Sequence, residues 1–251
     1  MRIGFLTLLL GGLFALPTSA LAHEAKSGLI ARNVTVNKTS YDYQVYVPEK
    51  LAGKGKLPVI VFLHGIGQRG EGGFVPAGGA SGALVRSYME RVPAIVLLPQ
   101  CRKGRFWSDS EMTKMTMDAL DKTVAEFNAD AQRVYLIGVS MGGYGAWSMA
   151  AENAGKFAAL VPICGGSSLR GADRFAAIAR RIGRTPVWVF HGAEDRVVPV
   201  SESRGMVEAL KAAGGDVRYS EYAGVGHNVY MKALAEPELL SWLLAQHLSG
   251  K

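Results

Sequence analysis

A serine flanked by glycines is the residue in this sequence best suited to covalent chemistry. The pentapeptide Gly138-Val139-Ser140-Met141-Gly142 follows an apolar run that predicts a strand, and it precedes a helix-compatible run, Gly143 to Ala151. A tight turn of this kind requires residues without side chains on either side of the serine, and it lifts the hydroxyl above the edge of a sheet. A helix start also directs backbone N–H groups toward developing negative charge. Ser140 is therefore a candidate nucleophile.

A serine hydroxyl needs a base to take its proton, and the base needs a carboxylate that fixes its tautomer. Asp195 lies in a loop after the predicted strand 186–190, and His227 follows the last predicted strand, which gives the chain order serine, acid, histidine. Glu194 is adjacent to Asp195 and is an alternative acid. We favour Asp195 because it lies two residues before the apolar anchor Val197-Val198-Pro199.

Two other histidines compete with His227 for the role of base. His191 and His64 each end a predicted strand and precede a glycine, which favours a structural role at the sheet edge. His23 and His247 are distant in sequence from these loops, and we interpret both as solvent-exposed histidines outside the site.

Acyl transfer also needs two N–H donors for the oxyanion of a tetrahedral intermediate. The first candidate is the backbone N–H of Met141, which follows the serine. The second is that of Ile66 or Gly65, in the loop after the third predicted strand.

Candidate substrate-binding residues lie on loops at the same edge of the predicted sheet. His64 and Gln100 each follow a buried strand, where active sites of open α/β sheets form. Trp107 lies in the loop after the fourth strand, where it can stack on an aromatic or sugar ring or pack beneath the loop.

The elements that must position these residues follow from hydrophobic patterning. Two alternating segments, 29–37 and 41–47, predict an antiparallel edge hairpin. Short apolar runs predict strands covered on both faces, at 58–63, 94–98, 133–139, 157–164 and 186–190, with a last strand at 217–222. Helical spacing between them and a closing helix at 239–248 predict an α/β fold with a mostly parallel sheet and helices on both faces.

The N-terminus has the pattern of a signal peptide. An apolar run follows Arg2, and the small residues Ala20 and Ala22 flank Leu21 in a cleavage-site pattern. We expect residues 1–22 to be removed near Ala22, leaving a single domain over 23–251 that is exported to the periplasm or secreted, without a stable membrane anchor. The chain has a net charge of +7, but it has neither the clustered basic tract nor the motif of a nucleic-acid-binding protein.

The chain has two cysteines, Cys101 and Cys164, which follow the fourth and sixth predicted strands. If three strand spacings separate these strands, the distance is about 14 Å, which is too long for a disulfide without help from loops. The sequence leaves their pairing and the oligomeric state open.

Several motifs in this order resemble a known group of enzymes. The segments 58–65, 98–101, 138–145 and 191–199 are similar to α/β-hydrolases, in the branch of exported esterases and "predicted peptidases" related to poly(3-hydroxybutyrate) depolymerases, feruloyl esterases and dienelactone hydrolases. The resemblance implies an α/β-hydrolase fold, the triad and oxyanion loop named above, and neither a metal nor an organic cofactor. The stretch Leu169 to Arg184, where many relatives insert a lid, is too short for a large cap domain.

Together these features predict an exported serine esterase that acts on a small or polymer-linked ester through an acyl-enzyme. A serine peptidase or amidase and a polyester depolymerase of the same fold are alternatives. A non-catalytic binding module is a third alternative, because a fold alone does not determine function. The acyl and alcohol groups of the substrate are not readable from the sequence.

Overall fold

The fold is built on one eight-stranded sheet. The computed structural model describes residues 27–51, 55–71 and 87–248, and the predicted signal peptide lies outside them. The strand order is β1-β2-β4-β3-β5-β6-β7-β8. Strands β1 and β2 and the pair β2 and β4 are antiparallel, and the remaining neighbours are parallel. The strands are β1 (Gly28–Val36), β2 (Thr39–Val47), β3 (Val59–Leu63), β4 (Ile95–Pro99), β5 (Val134–Val139), β6 (Ala159–Ile163), β7 (Val187–Gly192) and β8 (Val217–Tyr222).

Helices cover both faces of this sheet, as predicted. They are α1 (Ser110–Glu126), α2 (Met141–Glu152), α3 (Arg174–Ile182), α4 (Ser201–Ala212), α5 (Tyr230–Leu234) and α6 (Leu239–Leu244). Helices α1 to α4 contribute to a hydrophobic core on one face, and α5, α6 and a helical segment at residues 87–91 contribute to a core on the other. Since both faces are buried, the central strands are apolar along their whole length.

Strand β3 shows how the sequence fills both cores. All five of its residues are buried. Val59, Val61 and Leu63 pack into one core, and Ile60 and Phe62 pack into the other, because successive side chains of a strand point to opposite faces. Burial of each such side chain contributes about 1.5–3 kcal/mol.

The N-terminal hairpin forms as predicted from its alternating pattern. The register pairs Val36 with Thr39, so that Asn37 and Lys38 form the turn. Both turn residues have positive φ, 49° and 65°, as expected for a two-residue hairpin loop.

Long-range contacts explain where the element bounds differ from the sequence pattern. Helix α6 ends at Leu244 rather than at residue 248. Beyond it, the Gln246 carbonyl accepts a hydrogen bond from Tyr135 Oη at 2.9 Å, and the Leu248 amide donates to the Gln132 carbonyl at 2.9 Å. These bonds to the start of β5 pull the chain out of the helix.

The two cysteines lie where the predicted topology puts them. Strands β4 and β6 are separated by β3 and β5, which gives the three spacings expected. Cys101 and Cys164 are both buried free thiols.

In the part of the chain that the structure describes, none of the helices has the length and apolar character needed to cross a bilayer. The parallel strands β3, β5, β7 and β8 have their carboxyl ends at the same end of the sheet. Residues that follow these strands are therefore brought together there.

Candidate active site

Ser140 lies at the sharp turn between β5 and α2. Its backbone has a φ of 56° and a ψ of −115°, an unusual conformation for a residue with a side chain. The turn is possible because its flanking glycines approach other backbone atoms closely. A Cβ on Gly138 would lie 2.0 Å from the Gly142 carbonyl oxygen, and one on Gly142 would lie 2.0 Å from that of Leu63.

His227 approaches Ser140 from the loop after β8. Its Nε2 lies 2.9 Å from Ser140 Oγ, and its Nδ1 lies 2.7 Å from Asp195 Oδ2. A neutral ring with hydrogen on Nδ1 donates to the carboxylate and leaves Nε2 free to accept the serine proton. The structure thus brings together the three residues that the sequence predicts as a triad.

Asp195 is held by several donors in the loop after β7. Its Oδ1 accepts hydrogen bonds from the amides of Val197, at 2.8 Å, and Val198, at 2.9 Å. Burial alone raises the pKa of this carboxyl, but the hydrogen bonds from His227, Val198 and Val197 outweigh it and hold the pKa below its ordinary value. Asp195 is therefore ionised at neutral pH. Glu194, the alternative acid, is exposed.

A second histidine contacts Asp195, which sequence reasoning did not anticipate. His191 is fully buried, with Nε2 3.3 Å from Asp195 Oδ2 and 3.0 Å from the Val198 carbonyl oxygen. Its Nδ1 lies 2.6 Å from Ser203 Oγ. Since Nε2 faces two acceptors, the hydrogen of the neutral ring belongs on Nε2. Ser203 Oγ also lies 3.1 Å from the Gly165 carbonyl oxygen, so its one hydrogen is shared between that oxygen and Nδ1. Burial lowers the pKa of His191, which favours this neutral form.

The amides predicted to form an oxyanion hole flank Ser140. Met141 is the first residue of α2, and Gly65 and Ile66 begin the short 3-10 helical turn after β3. A Cβ built on Gly65 would lie 3.8 Å from the Cβ of Ser140, so this loop is adjacent to the serine. Within the described residues, neither Met141 N–H nor Ile66 N–H donates a hydrogen bond. Among the described residues, no acceptor therefore competes with an oxyanion for these two N–H groups.

A cavity of about 220 Å³ opens beside Ser140 and His227. Its walls combine the loop at residues 64–68 with a mainly apolar set of side chains, which are Phe62, Val139, Tyr230 and Leu234. These four residues were not predicted as site residues, because in sequence an apolar residue that lines a site in a strand or helix looks the same as a core residue. Their positions along the chain, just before or after the predicted oxyanion and triad loops, are the one indication that the sequence gives.

The three predicted substrate-binding residues are buried behind this cavity. His64, Gln100 and Trp107 are 2%, 4% and 0% exposed, and of these only His64 borders the cavity. Trp107 donates from Nε1 to the His64 carbonyl at 2.9 Å. Burial thus favours the packing interpretation of Trp107 over stacking on substrate.

One group of side chains at the site has the composition of a metal site. Among the described residues, ligand atoms of Cys164, Asp195 and His227 lie within 4.8 Å of one another. However, Asp195 and His227 already bond each other, and burial raises the pKa of the Cys164 thiol to about 12. The thiol is therefore protonated at neutral pH and is a poor metal ligand.

The chain is similar in sequence to known esterases. The chain is 29% identical over 170 residues to the bifunctional acetylxylan esterase/xylanase XynS20E of Neocallimastix patriciarum, a match that covers 66% of this chain and 23% of that enzyme. It is 33% identical over 139 residues to feruloyl esterase B of Neurospora crassa, covering 49% of this chain and 45% of that enzyme. The chain thus spans less than half the length of these two relatives.

Solved structures show the same fold. A thermostable esterase superposes with a TM-score of 0.77 at 33% identity, over 87% of this chain and 63% of that one. The feruloyl esterase module of Clostridium thermocellum, solved with sinapinate, superposes with a TM-score of 0.68 at 16% identity, over 89% and 90% of the two chains. These neighbours confirm the predicted α/β-hydrolase fold.

A family model defines the group more closely. The dienelactone hydrolase family model matches residues 99–235, more than half of the 251 residues. The match includes Ser140, Asp195 and His227. The chain belongs to the dienelactone hydrolase family.

Proposed function

We propose that this protein is a serine hydrolase that cleaves carboxylic esters through an acyl-enzyme. The observation that carries the proposal is the continuous hydrogen-bonded path from Ser140 Oγ through the His227 ring to Asp195, with links of 2.9 and 2.7 Å. The relatives named as acetylxylan and feruloyl esterases support ester cleavage as the reaction.

Acylation follows from the positions of the three side chains. Ser140 Oγ attacks the ester carbonyl carbon as its proton passes to His227 Nε2, and the carbonyl oxygen takes the negative charge. The ionised Asp195 stabilises the imidazolium that forms. The bond from the carbonyl carbon to the alkoxide oxygen then breaks, and His227 gives its proton to that oxygen. The alcohol departs, and the acyl group remains bound to Ser140 Oγ.

Deacylation repeats these steps with water as the nucleophile. His227 takes a proton from the water, whose oxygen attacks the acyl carbon, and then returns a proton to Ser140 Oγ as the acid product leaves. The amides of Met141 and Ile66 are proposed as donors to the oxyanion in both halves of the reaction.

The cavity beside Ser140 is proposed to bind the acyl group. At about 220 Å³ and with apolar walls from Phe62, Val139, Tyr230 and Leu234, it suits a compact uncharged acyl group rather than a long chain or a charged one.

The experiment that tests the proposed function is an ester hydrolysis assay with Ser140→Ala as the paired variant. The mature protein is assayed on acetyl, butyryl, feruloyl and 3-hydroxybutyrate esters, each beside the amide with the same acyl group. We expect hydrolysis of at least one ester, and its loss by a factor of about 10⁴ or more in Ser140→Ala. Full turnover by that variant would reject the mechanism, a preference for amides would favour an amidase, and no hydrolysis at all would favour a binding role.

Export is a separate part of the proposal and depends on the N-terminal pattern alone. We expect the chain expressed from Met1 in a bacterial host to be recovered outside the cytoplasm, with His23 as the new N-terminus. N-terminal sequencing of the fractionated protein measures this, and an intact Met1 in the cytoplasmic fraction would reject it.

A further inference from the structure

The side chains behind the oxyanion loop form a connected set of hydrogen bonds centred on His64. Gln100 donates from Nε2 to the Gln68 carbonyl at 2.6 Å, and Trp107 donates from Nε1 to the His64 carbonyl at 2.9 Å. These bonds hold the loop at both ends. They also leave the His64 ring packed against Trp107, with the two ring centroids 4.9 Å apart.

The backbone fixes the tautomer of His64. The Cys101 amide N–H lies 3.1 Å from His64 Nε2, and a backbone amide can only donate, so Nε2 must be an acceptor. The side-chain amide of Gln100 faces the same nitrogen at 3.3 Å. The hydrogen of the neutral ring therefore lies on Nδ1. Burial lowers the pKa of His64 to about 4, so the ring is neutral under ordinary conditions.

The Nδ1 hydrogen fixes the orientation of one peptide group. Nδ1 lies 2.7 Å from the Gly65 carbonyl oxygen, which also accepts from the Gln68 amide at 3.2 Å. In a trans peptide the C=O and the following N–H point in opposite directions, and the described residues contain no cis peptide. With the Gly65 oxygen held by the buried ring, the Ile66 N–H points away from that ring, and Gly65 and Ile66 themselves line the cavity beside Ser140.

We propose that His64 is a positioning residue that orients the Gly65–Ile66 peptide so that its N–H donates to the oxyanion of the tetrahedral intermediate. The inference rests on the proposed function. It assigns to His64 an action through the backbone rather than through contact with the substrate. The Ile66 amide forms a stronger hydrogen bond to the oxyanion than it forms to the carbonyl oxygen of the bound ester. Loss of this orientation must therefore lower kcat more than it raises KM.

The first test replaces the ring by one of similar shape that cannot donate. We expect His64→Phe to lower kcat on an aryl acetate by about 10- to 100-fold, with KM within about threefold of the wild type, since complete loss of one oxyanion donor costs about 10²- to 10³-fold. The inhibition constant of a trifluoromethyl ketone, whose adduct with Ser140 places an oxyanion in the same position, should rise by the same factor. His247→Phe, at an exposed position, is the matched control and should leave all three constants unchanged.

A double-variant cycle separates this role from a general structural one. Ile66→Pro deletes the N–H itself, and the backbone accepts proline there because Gly65 is extended, with φ −75° and ψ 175°, and Ile66 is the first residue of the helical turn. If His64 acts through this N–H, His64→Phe should reduce kcat little or not at all in the Ile66→Pro background. An equal reduction in both backgrounds would overturn the proposal.

A measurement on the unmodified protein covers the case in which His64→Phe does not fold. Nitrogen-15 NMR of the histidine rings reports which ring nitrogen carries hydrogen, and we expect the Nδ1–H form for His64. The Nε2–H form would overturn the inference, as would wild-type kcat in a folded His64→Phe. If Ser140→Ala is inactive, either result leaves the proposed function intact. If Ser140→Ala instead retains full activity, the proposed function itself is rejected.

Discussion

At the scale of single residues, the site depends on which of two adjacent carboxylates faces His227. Asp195 is buried and bonded to His227 at 2.7 Å, whereas Glu194 is exposed. We predict that Asp195→Asn lowers kcat by about 10³- to 10⁴-fold, because an amide in this place favours the wrong histidine tautomer. Glu194→Gln should retain wild-type kcat. Steady-state kinetics on one ester decide between them, and the opposite ranking would assign the acid to Glu194.

The same carboxylate leads to a prediction for His191. Its Nε2–H, shared with the Val198 carbonyl, lies 3.3 Å from Asp195 Oδ2, whereas the Val197 and Val198 amides bond Oδ1. Removal of one buried donor costs about 1–1.5 kcal/mol, so His191→Leu should lower kcat by about tenfold with KM nearly unchanged. His191→Gln, which keeps an N–H donor, should recover part of this loss. Equal kcat for the leucine variant and the wild type, both shown to be folded by near-ultraviolet circular dichroism, would exclude the role.

Sequence reasoning at this scale found the polar residues but not the direction of their side chains. His64, Gln100 and Trp107 were identified because they follow predicted strands, and the structure places them after β3 and β4. Their burial at 2%, 4% and 0% depends on loops that cross over them, and local pattern carries no information on such contacts. For the same reason, the approach of His191 to Asp195 was not predicted.

At the scale of elements, the turn between β5 and α2 is the part most tightly constrained by close packing. Gly142→Ala would place a Cβ 2.0 Å from the Leu63 carbonyl oxygen and 3.0 Å from that of His64, and backbone atoms cannot move aside as a flexible side chain would. We predict a loss of at least about 3 kcal/mol in the free energy of unfolding, above the usual cost of overpacking. Gly67→Ala is the control for stability, since nothing lies within 4 Å of its Cβ. Urea unfolding measures both, and equal midpoints would show that the turn can relax.

Element type was readable from the sequence wherever burial imposes a simple pattern. The continuous apolar runs of β3 to β7 reflect two covered faces, and the alternation of β1 and β2 reflects one. The end of α6 was not readable, because the bonds of Gln246 and Leu248 to residues of the β5 region involve positions more than 100 residues apart. A local sequence pattern contains no information on such distant hydrogen bonds, so it cannot show whether they end the helix.

At the scale of the whole molecule, the two buried histidines couple stability to pH. His64 and His191 are 2% and 0% exposed, and burial lowers the pKa of both, for His64 to about 4 from 6.5. Below about pH 6.5 these histidines are therefore protonated in the unfolded chain, whereas in the folded protein they stay neutral until the pH approaches their lowered pKa. Stability must fall as the pH drops through this window. For His64 the gap is worth about 3 kcal/mol.

Carboxylates add a second window at lower pH. The pKa of Asp195 is held below 3.8, so its contribution to stability is complete above that value and is lost as the pH falls through the folded pKa. Both effects have the same sign, but the histidine effect begins at the higher pH. Carboxylates such as Glu221, whose pKa falls from 4.5 to about 2 on folding, begin to contribute only as the pH drops below about 5.5.

The two windows can be separated with one substitution. We predict that His64→Phe loses less unfolding free energy than the wild type between about pH 7 and pH 4.5, because it removes the proton that only the unfolded chain binds. His247→Phe, at an exposed position, should retain the wild-type slope. Urea unfolding at about pH 7, 5.5 and 4.5 gives the slopes independently of any overall change in stability that the substitution causes. Equal slopes in His64→Phe and the wild type would mean that the His64 ring accepts a proton in the folded state. Its Nε2 could then no longer accept the hydrogen bond from the Cys101 amide in mild acid, since that bond requires the neutral ring.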